Sequence, residues 1–247
     1  MFDFSYKSNI SAKLNAFSVR SSLANKLGLS EDKPFPTTER TDGLAEIMLD
    51  AVENLDSPLS LERILQWHQR LFPEGYTLFN PVIGGRLRGD EPMQVVSGRI
   101  DKPTVHFEAP SRDVLEPELD VFIRWFNDSR EDPALDPLLR AAITHFWFVT
   151  LHPLDDGNGR ITRLLTDLAL AQAERQSVRF YAMSVAILAN RKSYYEILEQ
   201  SQKGELDITA WLMWFLNTLG ETFTNVLEEI DQTVFKTNFW RNVDQTR

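Results

Sequence analysis

Twelve consecutive residues hold most of the chemistry this chain can do: His152-Pro153-Leu154-Asp155-Asp156-Gly157-Asn158-Gly159-Arg160-Ile161-Thr162-Arg163. Pro153 and two glycines break the backbone between two strongly helical segments. The break collects an imidazole, two carboxylates, an amide and two guanidinium groups. Gly157-Asn158-Gly159 just ahead of a helix start suits an anion nest, because glycines turn successive N–H groups inward and the helix N-terminus adds its positive end. Arg160 and Arg163 stand three apart and project from one face of the new helix. Two arginines beside a ring of backbone donors suit more than one phosphate group.

A carboxylate such as Asp156 is repelled by bare phosphates. It fits if it carries Mg2+, which needs only one or two protein carboxylates plus phosphate oxygens. His152 is the local group able to take a proton near neutral pH. Taken singly, a histidine at a helix end, a Gly-Asn-Gly turn and an arginine pair are ordinary structural features. Together in one stretch they predict a phosphate site.

The elements that must position this stretch are helices. A segment with apolar residues nearly all round, Leu138 to Leu151, leads into it and reads as a buried helix. Arg160 to Ala173 continues after it. Ser18 to Leu27 reads as a short helix stopped by Gly28 in the left-handed conformation. Residues Leu44, Ile47, Met48, Ala51 and Leu55 keep helical spacing from Asp42 through Asn54, and Ser60 reads as the N-cap of a helix that runs to Leu71 before Pro73. Further helical stretches are Val114 to Asn127, Ser193 to Ser201, Ile208 to Leu219 and Thr222 to Trp240. Met93 to Ser97 and Thr104 to Phe107 are β-prone runs separated by a turn, which predicts a single β-hairpin. The expected fold class is all-α with that one hairpin. Such a hairpin is marginal alone and must pack on the helices or await a partner.

Composition narrows the function classes. The chain has 247 residues, 43% hydrophobic, enough for one sizeable core. Its formal net charge of −10 and scattered basic residues speak against a nucleic-acid partner. With no cysteine, thiolate chemistry and disulfides drop out. No apolar run reaches the roughly 20 residues that span a bilayer, and no signal peptide is visible, so a soluble cytoplasmic protein is expected.

The twelve-residue stretch resembles the Fic motif, His-Pro-Phe-x-Asp/Glu-Gly-Asn-Gly-Arg-x-x-Arg, with Leu154 in place of phenylalanine at a position that normally packs into the core. The resemblance extends through Val19-Arg20-Ser21-Ser22, Trp67-His68, Leu71-Phe72-Pro73, Met93 to Gly98, His106 to Pro110 and Tyr194-Tyr195, and is to the subgroup with an extra N-terminal region. It implies a protein adenylyltransferase that uses ATP and Mg2+: His152 as general base, Asp156 as metal ligand, and Gly157, Asn158 and Gly159 as the phosphate cradle, with Asn158 donating from its side chain. It further implies Arg160 against the leaving group, Arg163 at the γ-phosphate, and a tyrosine of the pair Tyr194 and Tyr195 against the adenine. The same pair also reads as core tyrosines at a helix start. The hairpin, about residues 93–107, is then a flap that docks the target protein. Residues 1–80 would form a helical region packed on a core of 81–247, all one compact unit. Self-modification and a homodimer are both compatible.

Relatives with this N-terminal region carry an inhibitory glutamate against the second motif arginine. Here Ser11 stands at that position, and Lys7 stands where a Ser or Thr is expected, so an uninhibited enzyme is implied. The open alternatives are another nucleotide donor, removal of AMP, or a non-catalytic nucleotide-binding or toxin–antitoxin-type module. His68, His106 and His145 read as structural.

Overall fold

The computed structural model describes residues 21–24, 26–28, 36–73, 82–99, 102–174 and 183–245. The expected inhibitory position, Ser11 with Lys7, and the domain boundary read near residue 80 fall outside these. Residues 21–24 and 26 are helical, and Gly28 follows at φ +68. Eight longer helices come next: α1 (Glu39–Glu53), α2 (Leu61–Leu71), α3 (Arg112–Asp128), α4 (Pro137–Leu151), α5 (Asn158–Glu174), α6 (Met183–Ala189), α7 (Arg191–Lys203) and α8 (Thr209–Gln245). Strands β1 (Gln94–Arg99) and β2 (Lys102–Glu108) form the hairpin between α2 and α3. The all-α class with one hairpin is therefore what the described residues adopt.

α4 and α5 lie at the centre. They pack more extensively on each other than any other helix pair, with α1, α2, α3 and α8 around them. The core runs through Trp67, Phe122, Phe126, Phe148, Leu165, Trp211 and Phe215, all at most 1% exposed. Local signals fix the helix starts. Ser60 Oγ accepts from Arg63 N–H (3.1 Å), and Asp136 Oδ1 accepts from Leu138 N–H (2.8 Å) ahead of Pro137 at N1. Helix α1 begins three residues before the expected Asp42, because Thr38 and Thr41 close a reciprocal capping box.

The hairpin pairs Gln94 with Glu108 and Arg99 with Lys102, with a register shift between Val95 and Val96. It is held to the helical body through β2, where His106 Nδ1 lies 2.6 Å from Glu199 Oε2 of α7. Among the described residues no helix is long and apolar enough to cross a membrane.

Candidate active site

The twelve-residue stretch begins where α4 is made to end. His152 adopts φ +47, ψ +54, the left-handed region, and is the lone non-glycine residue with positive φ among those described. Its N–H still donates to Phe148 O at 3.1 Å, closing the last turn, and Pro153 behind it cannot extend the helix. Leu154 is fully buried, so leucine does serve as the core plug where phenylalanine is usual. Asn158, 2% exposed, then closes the loop: its Nδ2 donates to Leu154 O (2.7 Å) and its Oδ1 accepts from Leu154 N–H (3.0 Å). The amide acts as a substitute backbone partner across the break. Gly157, at φ +85, presents its carbonyl to the N–H groups of Arg160 (2.9 Å) and Ile161 (3.0 Å), which starts α5.

His152 Nδ1 lies 3.1 Å from Val149 O. A carbonyl can only accept, so Nδ1 carries the proton and Nε2 is left with its lone pair. Burial of the imidazole pulls its pKa below 6.5, and the positive charge of Arg88 adds to this against the opposing Val149 carbonyl and Asp156. The neutral, proton-accepting form is thereby favoured at neutral pH.

Asp156 is exposed; one carboxylate oxygen accepts from Gly157 N–H at 2.5 Å and the other from Arg160 Nη2 at 3.3 Å. Arg160 lies over the Phe72 ring, 4.7 Å from its centroid, and that ring edge also backs Gly157. Arg163 is half-buried and runs beside Gly159, where a Cβ would come within 3.4 Å of its Nη1. Among the described residues no group of three or more His, Asp or Glu side chains gathers as a metal cage. Asp156 alone suits an ion delivered with phosphate oxygens.

Residues 58–170 match the model of the Fic/DOC family. The chain carries a Fic/DOC family domain. Over 148 residues, 60% of the chain, it is 31% identical to protein adenylyltransferase fic-1 of Caenorhabditis elegans. Over a stretch of the same length it is 28% identical to protein adenylyltransferase Fic of Nematostella vectensis. It spans only 25–30% of the length of these curated relatives. The crystal structure of a Fic family protein from Desulfovibrio desulfuricans G20 superposes with a TM-score of 0.60 at 20% identity, covering 90% of this chain and 66% of that one. A Fic domain containing signaling protein from Bacteroides thetaiotaomicron also gives 0.60, at 19% identity, covering 90% and 87%. These two likenesses establish the fold.

Two of the residues implied by the resemblance have well-defined surroundings. The buried amide of Asn158, implied as a side-chain donor to phosphate, is engaged both ways with Leu154 and so also shapes the loop. Of the pair Tyr194 and Tyr195, which reads either as an adenine partner or as core tyrosines, Tyr194 takes a core position. Tyr194 is 5% exposed, packs edge-on against His145 and tilted against Trp214, and its hydroxyl lies 3.0 Å from His145 Nε2. A ring so enclosed has no face left for a base. Tyr195 is 49% exposed beside Arg191 and remains available.

The Fic domain also holds a residue that sequence reasoning passed over. Arg88, in the Gly- and Arg-rich approach to the hairpin, is 2% exposed and bonds the carbonyl of His152. Its only sequence signal is a cluster of arginines around glycines, which says nothing of which one turns inward.

Proposed function

We propose that this chain transfers AMP from ATP to a hydroxyl of a protein. The observation that carries the reading is the pairing of a neutral, tautomerically fixed His152 with a glycine-rich helix start flanked by Arg160 and Arg163. The names of the curated relatives support the same activity.

In this reading His152 Nε2 takes the proton of the target hydroxyl. The hydroxyl oxygen bonds to the α-phosphorus, the bond from that phosphorus to the bridging oxygen breaks, and pyrophosphate leaves. Backbone N–H groups at the start of α5 hold phosphate oxygens, aided by the helix dipole. Arg160 neutralises charge on the leaving group, and Arg163 reaches the γ-phosphate. Asp156 would hold Mg2+ together with the nucleotide, and the ion would offset phosphate charge. Rate acceleration then comes from positioning and charge stabilisation.

The hairpin is suited to lay out the target segment, because an edge strand binds any extended peptide through its main chain. Val96 and Val105, 51% and 42% exposed, offer an apolar surface there. The sequence resemblance further supports an enzyme without glutamate inhibition. Introducing the missing acid by Ser11→Glu should lower activity; unchanged activity would remove that part of the proposal.

The deciding experiment is incubation with Mg2+ and ATP labelled on the α-phosphate, comparing the native chain with His152→Ala. Label on the chain or on added proteins, lost in the variant, supports AMP transfer. Tight ATP binding with no transfer of label would instead favour a nucleotide-binding module.

A further inference from the structure

We infer that Arg88 is a positioning residue that holds His152 in its working geometry and ties the stem of the hairpin to the motif loop. The inference rests on the AMP-transfer reading.

Arg88 is buried, yet the groups it bonds are carbonyls rather than carboxylates. Its Nε donates to His152 O at 2.9 Å, and its Nη2 donates to Pro110 O, two residues past the end of β2. Its backbone N–H donates to Pro153 O at 2.9 Å, and its own carbonyl accepts from Arg112 Nε of α3 at 3.1 Å. One residue thus touches the hairpin stem, α3 and two consecutive residues of the motif. Among the described residues Arg88 makes no ion pair, with the Asp155 charge acting on it only at longer range, and burying a cation so placed is costly.

What it holds is a conformation that does not hold itself. His152 sits in the left-handed region without being glycine, which survives only when the surroundings over-determine it. The planar fork of Arg88 fixes the peptide after the imidazole, while the Val149 carbonyl fixes the ring. Lysine could supply the charge at position 88 but not the fork. The charged groups bearing on the imidazole are Arg88 and Asp156, opposite in sign.

The test compares the full chain with Arg88→Lys and Arg88→Met in the α-label assay. MgATP affinity is titrated in parallel, and the His152 imidazole is titrated by 15N NMR with His152→Ala for assignment. Turnover should fall about 100-fold in both variants, the size expected for a misplacement of about 1 Å, with MgATP affinity within about threefold of native. The His152 midpoint should move up toward 6.5 in Arg88→Met.

Wild-type turnover in Arg88→Lys would overturn the inference. So would unchanged turnover in Arg88→Met, or nucleotide affinity falling in step with turnover, the mark of a merely structural role. Arg88→Lys carries the test if Arg88→Met does not fold. If the native chain transfers no label, it is the AMP-transfer reading that fails. The NMR titration then decides the clamp alone, and an unmoved His152 midpoint in Arg88→Met would overturn it.

Discussion

Gly157 combines two demands that no other residue type meets. Its φ of +85 suits glycine, and a Cβ there would come within 2.9 Å of Phe72 Cε2. Gly157→Ala should therefore cost about 1–3 kcal/mol, a fall in melting temperature of about 2–12 °C for a chain of this size. Because the same atom would press the Phe72 ring toward Arg160, ATP affinity should fall as well. Differential scanning calorimetry and a nucleotide titration check both, and an unchanged melting temperature would mean that the loop is looser than described. Gly159 makes the contrast. It is helical, and its Cβ would meet only the far end of Arg163 at 3.4 Å, so Gly159→Ala should leave stability near native.

At the scale of elements, α8 runs unbroken for 37 residues through Gly220, where the sequence reads as two helices. A helix-ending glycine adopts positive φ, and Gly220 does not. Thr222 and Thr224 hydroxyls donate back to Thr218 O and Gly220 O, which keeps the turn closed around it. A Cβ at 220 meets nothing within 4 Å. Gly220→Ala should then stabilise the protein by about 0.5–1 kcal/mol, read as a higher urea midpoint; a lower one would mean that the helix is kinked there. Segments with strong periodicity and clear caps were legible: Leu61–Leu71 behind Ser60, the hairpin, and α4 ending at the motif. The motif itself was legible because its residues are close in sequence. For Tyr194 the sequence leaves two readings, adenine partner or core tyrosine, since its burial is decided by His145 and Trp214 on other helices, forty-nine and twenty residues away. Arg88 was not legible, because its carbonyl partner in the motif lies sixty-four residues downstream. The short helix α6 gave no periodic signal long enough to read.

For the whole molecule, the histidines set a pH dependence. His68, His145 and His152 are each pulled below 6.5, first by burial, His145 to about 3. His145 is held neutral between Thr166 Oγ1 (2.9 Å) and Tyr194 OH (3.0 Å). The folded state resists protonation that the unfolded chain accepts below about 6.5. Stability present above that pH is therefore lost as pH falls toward the folded-state values, by up to about 1.4 kcal/mol per pH unit for each histidine. Urea unfolding at pH 7.5 and 5.5 should show the loss, and a pH-independent midpoint would contradict it. The central pairing of α4 with α5 carries a different consequence, for folding kinetics. The two helices are adjacent in sequence, joined by a loop whose main closing bonds lie within it, so their contacts require little loop-closure entropy. This helical hairpin is thus suited to nucleate the fold, and pulse-labelled hydrogen exchange should find its amides protected first. The Leu154–Asn158 turn would then close early, while His152 settles into its left-handed conformation only when the distant Arg88 arrives.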